Sequence, residues 1–240
     1  MPRHESGFLS HLEELRKRII VSFLCFFAAS VAAYFFSGTI LDFLITPLAR
    51  FQNSQLYFQK PYEAFLTHIK VAAFAGFVFS LPVLITQGWL FVSPGLFGHE
   101  KIIAALLSLI CLFLFLVGAG FAYWVVVPWG IHFLLEFQTE SLKPLLGIGP
   151  YLSFLTGMIV AFGLLFDFPV VLIGLVRLGA TNTNVLAKGR KIVIVVIFIT
   201  AAILTPSPDP ISQLLLAVPL ILLFELSLVV ARLVEGKKAD

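Results

Sequence analysis

The sequence predicts an all-α, polytopic membrane protein with six transmembrane helices and both termini on the cytoplasmic side. Composition is the first ground: 60% of the 240 residues are hydrophobic and 12% charged, against about 25% charged in a soluble domain. Segregation is the second, because the charges cluster in short stretches between apolar runs and no polar segment reaches domain length. The third is length. The run Leu152–Val176 exceeds the roughly 20 residues that a spanning helix needs. Residues 1–240 therefore read as a single integral membrane domain, and a net charge of +3 is too small and dispersed for nucleic-acid binding.

In chain order, the segment Ser10-His-Leu-Glu-Glu-Leu-Arg-Lys-Arg18 reads as an amphipathic helix. Ser10 as N-cap and Glu13 three residues later form a capping box, with acids preceding bases along the helix dipole. The spans follow at approximately 19–36, 71–92, 102–127, 152–176, 192–204 and 211–234. The first run follows a charged helix, is too long for a leader's apolar core and has no small-residue cleavage site after it, so it reads as an anchor. Between spans 1 and 2, residues 41–48 and 61–70 are amphipathic enough for short interfacial helices. Pro82 should kink span 2. Residues 128–151 read as a loop with an apolar stretch from Ile131 to Phe137. The fifth run, 13 residues long, reaches about 20 Å at 1.5 Å per residue, short of the roughly 30 Å hydrocarbon core. The turn Thr205-Pro-Ser-Pro-Asp-Pro210 cannot continue a helix. Spans 5 and 6 thus form a short hairpin that should thin the bilayer locally.

Lysine and arginine set the orientation. Arg3, Arg16, Lys17, Arg18, Lys101, Arg177, Lys188, Arg190, Lys191, Arg232, Lys237 and Lys238 fall on one side, and Arg50, Lys60, Lys70 and Lys143 on the other. The richer side is cytoplasmic.

The polar residues divide by depth. Asp167, alone in the fourth run, costs at least about 2.5 kcal/mol at mid-membrane and so marks a pathway, partner or ligand. Glu225 is a second intramembrane acid, open to pairing with Arg232 or with another helix. At the cytoplasmic edge, Glu14 and Glu100 are either helix-end carboxylates or, beside Phe91, a patch for guanidinium groups, which pair with carboxylates and stack on rings. Asp209 reads as a turn-former. Cys25 and Cys111 read as packed thiols. His99-Glu100 lacks the second histidine of a zinc motif, and no nucleophile elbow, phosphate loop or Cys/His cluster appears. Neither enzyme activity, cofactor nor metal is expected.

The segments His11-Leu-x-Glu-Leu-Arg-x-Arg18, Phe91-x-x-Pro-Gly-Leu-x-x-His-Glu100, Ala161-Phe-Gly-x-x-Phe-Asp-x-Pro-Val170 and Leu204-Thr-Pro-x-x-Asp-x-x-x-Gln213, then Ala217-x-Pro-Leu and Phe224-Glu225, resemble the TatC family. Pro47-Leu, Pro61-x-Glu63-x-Phe65 and Lys70 in the first outer loop fit as well. The likeness runs in order along nearly the whole chain. It departs at Asp167, where the family often carries Glu, and in the three prolines Pro206, Pro208 and Pro210.

The resemblance implies the multispanning receptor subunit of a twin-arginine translocase in the cell inner membrane, exporting folded proteins on the proton gradient. Its helices would surround a concave, cavity-forming face. By position, Glu14 and Glu100 would contact the two arginines of a signal peptide, with Phe91, Pro94, Leu96, Arg16 and Arg18 shaping the patch. Asp167, Glu225 and Gln213 would be intramembrane polar residues meeting single-span TatA- or TatB-type partners or the signal peptide. Pro47, Pro61, Glu63, Pro206 and Asp209 would shape the loops. Membrane lipid and a second copy of the chain complete the expected partners, and nucleic acid is not among them. Two other classes compete: a secondary transporter or proton or cation channel using Asp167 and Glu225, which would need a watered path between them, and an intramembrane enzyme.

Overall fold

The computed structural model describes residues 4–49, 56–92, 100–136, 146–177, 181–204 and 210–236. Helices dominate: α1 (His4–Tyr34), α2 (Ser37–Ala49), α3 (Glu63–Val92), α4 (Glu100–Phe121), α5 (Val127–Glu136), α6 (Ile148–Arg177), α7 (Thr183–Lys188), α8 (Arg190–Leu204) and α9 (Pro210–Gly236). Two two-residue strands, β1 (Leu56–Tyr57) and β2 (Leu146–Gly147), pair into a ribbon. Among the described residues, four stretches are long and apolar enough to cross a membrane: Leu12–Tyr34, Glu63–Phe91, Ala105–Phe133 and Ile148–Val176. Helices α8 and α9 correspond to the fifth and sixth spans that the sequence predicts, and α2 is a further, shorter apolar helix.

Three boundaries differ from the sequence reading. Helix α1 begins at His4, so Ser10 lies inside it and is not the N-cap. A capping box marks only a local preference, and here the chain is already helical upstream, so the amide that Ser10 would cap has an intrahelical partner. Residues 63–70 form the opening turns of α3 and not a separate interfacial helix. The third span also runs on past Pro128. A π-helical segment, Ala122–Val126, joins α4 to α5 two residues before that proline. Its wider turn breaks the i−4 ladder where the proline has no N–H to give.

By contacts the chain forms two compact units. The first comprises Met1–Thr46, Tyr57–Phe113 and Gly147–Leu152; the second comprises Pro47–Leu56, Leu114–Leu146 and Ser153–Asp240.

In the first unit α1 packs on α3. Gly76 makes this possible: a Cβ there would lie 2.5 Å from the Ser30 Cα and 2.6 Å from its nitrogen. Lipid is as apolar as a leucine side chain, so membrane helices associate through such close packing and not through hydrophobic burial. Ser30 itself donates to the Phe26 carbonyl of its own helix, 2.8 Å, so its hydroxyl is satisfied without crossing the interface. At the end of α3 away from Gln87 the Ser37 hydroxyl, at the start of α2, and His68 Nδ1 lie 3.0 Å apart. Gly76→Leu is expected to destabilise the purified protein by at least about 1–3 kcal/mol, the usual cost of overpacking. A melting temperature equal to that of the wild type would show that the seam has slack.

The segments before α3 and at the start of α6 are tied by Glu63. Its carboxylate accepts from the backbone amides of Gln59 (2.6 Å), Lys60 (3.3 Å) and Gly149 (3.0 Å). The last joins the start of α3 to the first turn of α6, and Gly149 allows it because a Cβ there would collide with the same carboxylate. Nearby, the buried Tyr151 hydroxyl donates to the Leu44 carbonyl, 2.8 Å. Pro47 is buried inside α2, and Pro61 sits exposed in the turn before α3.

In the second unit α4 and α6 meet through two glycines. A Cβ on Gly118 would lie 2.5 Å from the Phe162 carbonyl, and one on Gly163 would strike the Phe115 ring. Phe121 stacks obliquely on Phe162 and Phe166, with centroids 5.9 and 5.7 Å away. The α8–α9 hairpin belongs to this unit. Pro210 opens α9, where its missing N–H costs nothing.

Candidate functional site

Helix α1 carries Glu14, Arg16 and Arg18 at the end that the charge count assigns to the cytoplasm. The antiparallel partner α3 brings Gln87 to meet them. Ser30 lies twelve residues beyond Arg18, and Gly76 eleven residues before Gln87. At 1.5 Å per residue these are nearly equal distances along the two helices, about 16–18 Å, so close packing at Gly76 sets the register at Gln87.

Arg18 sits at the centre of this meeting point. Its Nη2 forms an ion pair with Glu14 Oε1. Its Nη1 donates toward Gln87 Oε1 at 3.4 Å, and its buried Nε has no hydrogen-bond partner among the described residues. The Arg18 side chain is 19% exposed and that of Glu14 35%, so the pair is more enclosed than an ordinary solvent-facing helix pair.

Two hollows share Arg18 and Gln87. One is polar, about 720 Å³, and also lined by Glu13, Glu14, Arg16 and Lys17. The other is an apolar groove of about 500 Å³ between α1 and α3, lined among others by Phe23, Phe26, Phe77 and Phe91. A cationic group followed by an apolar chain suits this pair of surfaces.

The residues expected from sequence fall into three groups. Glu14, Arg16, Arg18 and Phe91 line these adjoining hollows. Pro94, Leu96, Pro206 and Asp209 lie outside the described residues, as does the side chain of Glu100, whose backbone opens α4. The intramembrane set belongs to the second unit. Glu225 pairs with Arg190 at 2.9 Å, and not with Arg232. Antiparallel packing of α8 on α9 places the first residue of α8 against it. Gln213 Nε2 donates to the Phe198 carbonyl, 2.9 Å, closing the same hairpin. Asp167 lies on α6 beside the buried Phe166, and one of its oxygens, Oδ1, is enclosed with no partner among the described residues. With Glu225 neutralised by Arg190, Asp167 and Glu225 are not two equivalent acids for a proton path. The hydroxyls of Ser80, Thr200 and Ser227 each donate to a carbonyl of their own helix (3.0, 2.8 and 2.6 Å), which accounts for them without chemistry.

Gln87 is the residue that sequence reasoning missed. Its only signal is an amide one helical turn before Phe91 at the end of an apolar run, and nothing local ties it to α1.

Known proteins resemble this chain along nearly its whole length. A family model described as Sec-independent protein translocase protein (TatC) matches residues 10–219. The Sec-independent protein translocase protein TatC of Desulforapulum autotrophicum is 38% identical over 244 residues, covering 100% of this chain and 90% of the relative. That of Magnetococcus marinus is 38% identical, covering 97% of this chain and 86% of its own length. Among solved structures, a crystal structure of a twin arginine translocase receptor, TatC, superposes with a TM-score of 0.79 at 36% identity, covering 93% of this chain and 98% of that one.

Proposed function

We propose that this chain, which belongs to the TatC family of Sec-independent protein translocase components, is the subunit that receives twin-arginine signal peptides at the cytoplasmic face of the membrane. Family membership and the apolar helices make it a multi-pass membrane protein of a transport machine and not an enzyme. The finer reading places it in the cell inner membrane with both termini cytoplasmic, assembling with single-span TatA- and TatB-type subunits and drawing on the proton gradient.

One observation carries the receptor reading. The polar hollow at Glu14 opens beside an apolar groove at Phe91, and the two share Arg18 and Gln87. A signal peptide is a basic segment followed by 7–15 apolar residues, an order that matches these two surfaces. Glu14 offers a carboxylate to a guanidinium, and Glu100 supplies the second.

Peptide binding by the full chain in lipid nanodiscs tests this. The Glu14→Gln, Glu100→Gln double variant is expected to bind a synthetic twin-arginine signal peptide about tenfold or more weakly. A charge-assisted hydrogen bond contributes about 1.5–3 kcal/mol, less where hydrated. The wild-type affinity should also fall as salt rises, because the site is partly exposed. Unchanged affinity in the double variant refutes the assignment.

A further inference from the structure

We infer that Arg18 is an internal stand-in for the incoming arginine, and that by holding Glu14 it sets the discrimination between arginine and lysine. This rests on the reading that Glu14 receives a cationic side chain of the signal peptide.

The ion pair with Glu14 alone would carry little, since Glu followed by Arg four residues later is a common helix-stabilising pair. Three further features set this one apart. The Arg18 side chain is largely enclosed, at 19% exposure. It forms part of both the polar hollow and the apolar groove. Its guanidinium is also incompletely satisfied, with Nη1 at a long 3.4 Å from Gln87 Oε1 and the buried Nε without a partner among the described residues. A guanidinium held this way already has a second acceptor within reach when another cation takes the first.

The chemistry of the carboxylate does the selecting. Arg18 occupies Oε1 of Glu14. An incoming arginine presents a planar fork that takes both carboxylate oxygens, so it replaces Arg18, which turns toward Gln87. Lysine carries a compact charge that binds one oxygen at a time. It therefore meets the carboxylate with Arg18 still in place, and two cations then share one anion. The cost falls on lysine.

The test measures binding of the twin-arginine peptide and of its twin-lysine counterpart to the full chain in nanodiscs, with wild type, Arg18→Gln, Arg18→Lys and Glu14→Gln. Arg18→Gln is expected to tighten the twin-lysine peptide about five- to tenfold and the twin-arginine peptide by less than about threefold, so that the ratio of the two affinities shrinks. Arg18→Lys keeps the charge on Glu14 and should retain most of the wild-type ratio. Equal tightening of both peptides by Arg18→Gln would reduce Arg18 to a nearby repelling charge, and equal weakening would make it a scaffold residue; either result overturns the inference, as does an unmoved ratio. Those results leave the receptor reading standing so long as Glu14→Gln still weakens the twin-arginine peptide. A wild-type protein that binds neither peptide overturns both.

Discussion

Asp167→Leu is expected to slow transport about tenfold while raising the melting temperature of the purified protein. The two effects have one cause. Oδ1 of Asp167 is enclosed without a partner among the described residues, and a desolvated polar group left unpaired costs about 1–3 kcal/mol. Leucine removes that cost from the isolated chain. What it also removes is the polar group that another helix would meet, an interaction contributing about 0.6–2 kcal/mol within a membrane. Asp167→Asn should keep much of that contact, because an amide still donates and accepts. Transport into membrane vesicles and thermal unfolding in detergent check both arms. Normal transport by Asp167→Leu, with undiminished crosslinks from the exposed Leu164 and Val171 on either side of it to a single-span partner or signal peptide, would mean that the acid has no partner to lose.

Lengthening the fifth span should be as damaging, by a different route. Helix α8 holds 15 residues, about 22 Å at 1.5 Å per residue, while the hydrocarbon core measures about 30 Å. The bilayer must thin around it or the helix must lie off-centre, at fractions of a kcal/mol per Å of mismatch. Five leucines inserted after Ala202 lie beyond both the Arg190–Glu225 pair and the Gln213–Phe198 bond, so the hairpin's internal ties remain. About 7.5 Å of added helix matches the span to the bilayer and removes the thinning. Insertion should be unaffected and transport should fall about tenfold or more, as measured on the same vesicles. A lengthened variant that transports at the wild-type rate would make the shortness of α8 incidental.

Hydropathy made the spans legible because the signal is a bulk one: a predominantly apolar run of 25 residues such as Leu152–Val176 has few alternatives to a buried or membrane helix. Helix ends were less legible. Ser10 and Glu13 have the side chains of a cap, yet α1 starts at His4; Pro128 looks like a stop, yet the π segment before it lets the helix continue to Glu136. In both cases a local preference, about 1 kcal/mol for a cap and about 3 kcal/mol for a proline, is overridden by the continuity of a long helix.

The candidate site divides along the same line. Acids and aromatics at span edges stand out against an apolar background, so Glu14, Phe91 and Asp167 were visible without coordinates. Their partners were not. Arg18 was read as a base of the positive-inside cluster that helps to shape the patch; its ion pair with Glu14 is local to α1, but its reach to Gln87 appears only once α1 and α3 are packed. Glu225 offered two readings, and packing of α8 on α9 chose Arg190. Glu63 was expected to shape the outer loop, and only the structure shows that it accepts from Gln59 before α3 and from Gly149 in the first turn of α6.

What the sequence determined by itself was membrane residence, the number of spans, the sidedness expected from Lys and Arg, and the identity of the exceptional polar residues. Each of these follows from transfer between water and hydrocarbon, which acts residue by residue along the chain. Only the tertiary structure decided which polar groups meet, how far α1 slides along α3, and which carboxylate is already occupied. Those outcomes depend on a few close contacts, Gly76 on Ser30 and Gly118 on Phe162 foremost, and a glycine in an apolar run carries no mark of the partner that will press against it.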